Sequence, residues 1–356
     1  MKMQNLLLIL LMAVSPLAAE STEHANHQDW SNCNASESEQ VIQGCTAIVQ
    51  AGQESSQRLA EAFHNRGIAY KRENKFADAI GDFTQSLRLN PDYAEAYYQR
   101  ALVYGHRGEY DQALQDYNQL IHLNSKFAKG FYGRGWVYMH MGDYDRAKPD
   151  LDQALALDPK YVDALCERGL WYTHKNYIDQ AIWDYSQALA IDSSYADAFV
   201  LRGNAYSCKR QYDLAIRDFD WALTLDPISA DGFYNRGLAY ESEGDFSKAI
   251  PDFDQALRLK PGDADAYLGR GWAYSQNKDY DRAIRDYSQA LQIDPTNERA
   301  LRNRRAAYFD KGEYTDAFAD YWRLRRIKLG AWGITIRLGL LLISIGILIK
   351  VALKRL

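Results

Sequence analysis

Apolar positions between residues 60 and 329 return every three or four residues, in pairs of short runs separated by polar turns. In one copy the spacing predicts a first helix over 130–141 and a second over 145–157, joined through Gly142-Asp143. The whole pattern then repeats with a period of 34 residues, eight times and without insertion. Arginine stands at Arg66, Arg100, Arg134, Arg168, Arg202, Arg236, Arg270 and Arg304, and a tyrosine follows four residues later in every copy. An alanine column runs from Ala79 to Ala317 and an aspartate column from Asp82 to Asp320. Gly108, Gly142, Gly244 and Gly312 mark turns that need a left-handed backbone. The second helix stops at Asn90-Pro91, Asp158-Pro159, Asp226-Pro227, Lys260-Pro261 and Asp294-Pro295, because proline disfavours helix in the residue before it; Ser125 and Ser193 stand in for it twice. A fixed period of this length is the mark of a solenoid, in which each helix pair buries its faces only against its neighbours.

The columns assign roles. Gly67, Ala101, Gly135, Gly169, Gly203, Gly237 and Gly271 let the two helices of a copy approach closely. Phe83, Tyr117, Tyr185, Phe219, Phe253, Tyr287 and Tyr321 are expected to pack towards the next copy. The arginine and aspartate columns recur together, which predicts structural ion pairs across each helix pair: Arg100 with Asp116, Arg134 with Asp150, Arg168 with Asp184, Arg202 with Asp218. A ligand clamp is the alternative, but a ligand seldom needs the same charge in every copy. Pro149 and Pro251 fall inside second helices and should bend them locally. Arg305 replaces the small residue in the last copy, as suits a more solvated terminal repeat.

An aromatic or leucine, a small residue, Tyr, Gly-Asp-Tyr, Ala, an aromatic and Asp-Pro at this period resemble the tetratricopeptide repeat, over about three quarters of the chain. The resemblance implies an all-α solenoid of eight helix-turn-helix repeats wound into a right-handed superhelix, with first helices lining a concave groove. It also implies a scaffold for peptides or partner proteins, with neither catalysis nor cofactor. Two columns of the first helices would then face the groove: Tyr98, Tyr132, Tyr234 and Leu268, and one turn on Trp136, Leu170, Leu238 and Trp272. Of these, Tyr98, Tyr132, Trp136, Tyr234 and Trp272 are the candidate partner-binding residues, since aromatics give large contact area at low entropic cost. Simple packing between first helices is the competing reading. An acidic column, Glu61, Glu95, Asp163, Asp197, Asp231 and Asp265, either selects basic partners or is a solvated face; Lys129 and Arg299 interrupt it. Some members grip a C-terminal carboxylate with groove lysines and asparagines; here the lysines are missing and Asn204 alone matches.

The ends differ. Lys2, an apolar run from Leu6 to Val14, Pro16 and Ala18-Ala19 read as a signal peptide over 1–19. Residues 20–59 read as an N-terminal cap with one helix, and Cys33 and Cys45 as a disulfide, the alternative being two buried thiols. After the repeats of 60–329, the stretch 330–356 reads as a membrane segment with a short basic tail, its uncharged centre running from Leu338 to Ile349. Export places the array outside the cytoplasm; the basic cluster Arg323, Arg325, Arg326 and Lys328 argues for a tail-anchored adaptor facing the cytoplasm instead. A net charge of −5 disfavours phosphate-driven binding of nucleic acid. His106, His140, His174 and Cys208 share a column and are the only hint of metal or accessory enzyme chemistry. Helices spaced about 8–10 Å apart cannot bring such a ridge to one point, so no metal site is expected.

Overall fold

The computed structural model describes residues 27–327; the signal-peptide reading over 1–19 and the membrane reading over 330–356 lie outside them. Everything described is helix and turn, without strands among the described residues. Two helices come first, α1 (27–33) and α2 (Ser38–Ala51). Eight helix-turn-helix repeats follow: α3 (Ser56–Arg72) with α4 (Phe76–Leu89), α5 (Ala94–His106) with α6 (Tyr110–Leu123), and α7 (Ala128–His140) with α8 (Tyr144–Leu157). Next are α9 (Val162–His174) and α10 (Ile178–Ile191), α11 (Ala196–Cys208) and α12 (Tyr212–Leu225), and α13 (Ala230–Glu243) and α14 (Phe246–Leu259). The last are α15 (Ala264–Gln276) with α16 (Tyr280–Ile293), and α17 (Glu298–Lys311) with α18 (314–327). The chain forms two compact units that divide at Trp171, inside α9.

In the first unit the cap holds two helices where one was expected, and the first repeat begins at Ser56, four residues ahead of the expected boundary. The polar stretch before Cys33 gives no apolar periodicity, so α1 is silent in the sequence; tertiary contact makes it. Cys33 and Cys45 are disulfide-bonded, with Cα atoms 4.7 Å apart, which fastens α1 to α2. Cys33, Val41, Cys45 and Ile48 form one buried cluster with Ala62 and Ala69 of α3, closing the open end of the first repeat.

Within each unit a first helix approaches its own second helix, that second helix approaches the next first helix, and consecutive first helices also touch: α3 with α5 and α5 with α7, then α11 with α13, α13 with α15 and α15 with α17. Consecutive second helices make no such approach among the described residues of either unit. First helices therefore crowd one side of each unit and second helices splay on the other, which is what creates an inner face.

The small-residue column explains the tight pairing. A Cβ on Gly67 would stand 2.7 Å from the Phe83 ring, one on Gly203 2.7 Å from Phe219 and one on Gly271 2.8 Å from Tyr287. Each ring thus rests on its own repeat's first helix, and it reaches the following repeat as well: a Cβ on Gly133 would meet Tyr117 at 2.4 Å and one on Gly269 would meet Phe253 at 2.6 Å. The expectation of contact towards the next copy was half of the arrangement. Helices α8 and α14 continue beyond Pro149 and Pro251 to Leu157 and Leu259.

All eight inter-helix turns place one residue at positive φ. Glycine fills four, but Asn74, Asn176, Arg210 and Lys278 adopt φ of 58°, 63°, 58° and 60°. A left-handed non-glycine residue costs about 1–2 kcal/mol, against about 0.5–1 kcal/mol of extra chain entropy for glycine. Lys278→Gly should therefore stabilise the second unit by about 0.5–1 kcal/mol, read as a higher urea midpoint by circular dichroism.

Candidate functional site

Within each unit the arginines lie between the two helices of a repeat and at its seam with the one before. In the first unit Arg100 donates through Nε and Nη2 to the Asp116 carboxylate at 2.8 and 2.7 Å, and Arg134 does the same to Asp150 at 2.7 and 2.7 Å. In the second unit Arg202 grips Asp218 at 2.8 and 2.8 Å, and Arg236 grips Asp252 at 2.8 and 2.6 Å. Of the remaining pair that the sequence suggests, Arg168 donates to Asp152 at 3.0 Å, and Asp184 is fully buried in the second unit.

The free Nη1 of each fork reaches back one repeat. Arg100 donates to Thr84 Oγ1 at 2.9 Å, Arg134 to Asn118 Oδ1 at 2.7 Å, Arg236 to Asp220 at 2.7 Å and Arg304 to Ser288 Oγ at 2.9 Å. Arg66 has no preceding repeat and uses Thr46 of α2, at 3.0 Å. Each of the guanidiniums of Arg100, Arg134 and Arg236 therefore ties its own two helices and the seam behind them. Burial pushes the Asp116 carboxyl up, while Arg100 pulls it down; the hydrogen bonds that Arg236 donates to Asp252 raise Arg236. Every nitrogen of these forks is engaged inside the array, so the arginines are structural in this geometry.

The first-helix columns form the inner face. In the first unit Tyr98 is half-buried, edge-on to Phe127 at 5.6 Å and near Tyr117 at 6.5 Å; Tyr132 lies 4.9 Å from Tyr161. Trp136 lies tilted against His140, ring centres 3.7 Å apart, and covers Gly105, whose absent Cβ would be 3.3 Å from the indole. In the second unit Tyr234 packs 6.0 Å from Phe253, Trp272 is exposed, and Leu268 belongs to the core. Leu268 is thus no groove residue: its column position is taken up by packing against the seventh and eighth repeats, where Tyr287 and Leu301 share its cluster. Desolvation beside Glu95 and Asp163 pushes the Tyr98 hydroxyl up to about 12, and burial beside Asp265 does the same to Tyr234.

Two carboxyls on these helices escape the column reading. Glu167 of α9 is 8% exposed, and Glu241 of α13 has a buried Oε2 without a hydrogen-bond partner. Desolvation raises each to about 7. The signal was present: each is the one acidic residue in its column, among Asn65, Gln99, Gly133 and Leu201 for the first and Gly105, Met139, Ser207 and Ser275 for the second.

The histidine ridge does not converge. His140 is engaged through Nδ1 with the Trp136 carbonyl at 2.9 Å, and His106 stacks on Phe76 at 6.2 Å. Among the described residues no group of three His, Cys, Asp or Glu side chains is placed to hold a metal. At the far end of the second unit, Phe309, Tyr314, Phe318 and Tyr321 are exposed around a cavity of about 570 Å³ that Arg305 also lines. No helix among the described residues is long and apolar enough to cross a membrane.

Residues 128–161, 230–263 and 264–297 match the tetratricopeptide repeat, and 64–126 match a second profile of the same description. The chain therefore carries tetratricopeptide repeats, and proteins built of them generally mediate protein interactions and scaffolding. Among solved structures it is similar to PilF of Pseudomonas aeruginosa, with 22% identity over 60% of this chain and 96% of that one and a TM-score of 0.51. It is also similar to PilW, a type IV pilus biogenesis factor, with 19% identity, 58% and 96% covered and a TM-score of 0.55. A tetratricopeptide repeat protein of Parabacteroides merdae gives 18% identity, 70% and 98% covered and a TM-score of 0.54. These are likenesses of fold. No curated protein matches the chain.

Proposed function

We propose that this protein is a non-catalytic scaffold that holds a polypeptide partner on the inner face of its repeats, tethered to a membrane by residues 330–356 with the array outside the cytoplasm. The observation that carries the reading is the division of labour between columns. The charged forks are consumed in holding repeats together, whereas the aromatic column of the first helices keeps ring surface accessible at Trp136 and Trp272. An inner face that only packed would have buried them as it buries Leu268. The Cys33–Cys45 bond supports an oxidising compartment, and exposed Tyr321 and Trp322, shortly before the apolar segment, suit a bilayer headgroup region.

The test is co-purification from the native source with the double substitution Tyr132→Ala plus Trp136→Ala. Loss of aromatic anchors typically costs about 2–4 kcal/mol in an interface, so the double variant should lose its partners while keeping wild-type helicity. Capture of the same partners by the double variant would overturn the groove.

A further inference from the structure

The end face of the last repeat departs from the period, and it does so towards aromatics. Phe309, Phe318 and Trp322 stand at positions where none of the other seven repeats carries an aromatic residue. Earlier in this unit the next first helix packs on the equivalent face, and Tyr287, the counterpart of Tyr321, is fully buried. No described helix follows α18. Arg305 replaces the glycine on which that ring rests in the repeat before, and Tyr321 is 36% exposed. Phe309, Tyr314, Phe318 and Trp322 are more than half exposed. Their rings run together: Phe309 lies 5.3 Å from Tyr314, and Phe318 lies 5.7 Å from Trp322 and 6.1 Å from Tyr321. A terminal repeat that had only to stay soluble would turn polar at this face; this one gains rings.

The same end is cationic. Residues 298–328 hold nine lysines and arginines against five acids, in a chain of net charge −5. Arg305, Arg323, Arg325 and Arg326 form no ion pair among the described residues. Arg305 lines the cavity between the rings, where Asp310 is the one acid among the described lining residues. Arg325 lies 5.6 Å from the centre of the Trp322 ring and donates to the Tyr321 hydroxyl at 2.9 Å.

We propose that this face docks on a phospholipid bilayer, its five rings entering the headgroup region and its four guanidiniums taking anionic headgroup phosphates. Tyrosine and tryptophan suit a depth where one end is apolar and the other wet, and arginine keeps its head among phosphates while its stem lies on apolar surface. Charge decides against the other occupants. A second copy meeting this end would bring the same guanidiniums, and residues 328–356 hold no acidic side chain, so neither neutralises the four arginines. Continuity argues the same way: α18 ends at 327 and the tether proposed above begins at 330. Three residues of chain span at most about 10–11 Å, so a membrane that holds the tether is within reach of the face. The docking face rests on the tether reading and adds a second, interfacial contact that fixes how the second unit stands on the bilayer.

The experiment reconstitutes the full chain in nanodiscs of phosphatidylcholine, with or without phosphatidylglycerol, using lipids brominated near the headgroup end of their acyl chains. Subtracting the emission of Trp322→Phe or of Trp332→Phe from that of wild type isolates one tryptophan on the face and one in the tether. Bromine should quench both. Phosphatidylglycerol should raise the quenching of Trp322 by at least about twofold and leave that of Trp332 unchanged. Arg305→Gln plus Arg326→Gln should remove that dependence. Quenching of Trp332 alone, or a dependence undiminished in the double variant, overturns the docking face and leaves the tether standing. A Trp322 whose emission is blue-shifted yet unquenched also overturns it, and puts the tail or a second copy on the rings. Quenching of neither tryptophan overturns the tether, and the docking face with it.

Discussion

Arg236→Met is expected to cost the second unit about 3–5 kcal/mol, the range for removing one partner of a buried ion pair. Three hydrogen bonds from this guanidinium serve two carboxylates, Asp252 at 2.8 and 2.6 Å and Asp220 at 2.7 Å. Asp252 is 5% exposed, so solvent has little access to replace the lost donors. The loss falls twice, within the repeat and at the seam behind it, so cooperativity should suffer as well as midpoint. Arg236→Lys should recover little, because a single ammonium cannot reproduce a planar fork that meets one carboxylate at two points and another behind it. Adding Asp252→Leu to Arg236→Met should restore much of the loss, since the orphaned charge goes with its partner. Urea unfolding followed by circular dichroism, with hydrogen exchange along α12 to α14, reads both effects. An Arg236→Met chain as stable as wild type would mean that the forks are ornaments of the surface.

The period made the repeats legible because every copy obeys the same steric demand: Gly67, Gly203 and Gly271 have no room for a Cβ, and a turn at Gly108 or Gly142 needs positive φ. The bridging role of the arginine fork was also written in a column, Thr84, Asn118, Asp152, Ser186, Asp220, Asp254 and Ser288, each a short acceptor. Its residue types vary, so it was passed over, although it ends tellingly: the next member is Trp322, where no ninth arginine follows. Helix α1 was illegible for the opposite reason, since it has no apolar stripe of its own and is held by the disulfide and by Trp30, which donates to Glu54 at 2.8 Å and lies under Arg58. The candidate face was legible only as columns. Column logic treats copies as equal, whereas Leu268 and Trp272, neighbouring turns of one helix, are 2% and 40% exposed. Glu167 and Glu241 break the period, and a reading built on repetition passes over what occurs once.

Glu167→Gln is expected to stabilise the chain by about 3–4 kcal/mol at pH 8, on the rule that each unit of pKa displacement corresponds to about 1.4 kcal/mol. Burial holds the Glu167 carboxyl up at about 7 in the folded chain, whereas an unfolded glutamate titrates near about 4.3. Between those values the folded chain binds a proton that the unfolded chain has released, so stability falls as pH rises. The contribution is whole below the unfolded value and is gone once pH has passed through about 7. Glutamine, which cannot ionise, removes that slope, and the difference between variant and wild type should open from near nothing at pH 4 to its full size by pH 8. Glu241 in the second unit is displaced in the same direction, so Glu241→Gln should flatten a separate share of the curve, with Arg299 opposing the effect. Urea midpoints of wild type and both variants across this range decide the matter. A Glu167→Gln chain that is weaker than wild type at pH 8 would show that the carboxylate already has a partner in the folded protein. A stronger one would show a side chain that works against the fold at neutral pH, and residues of that kind persist where binding needs them.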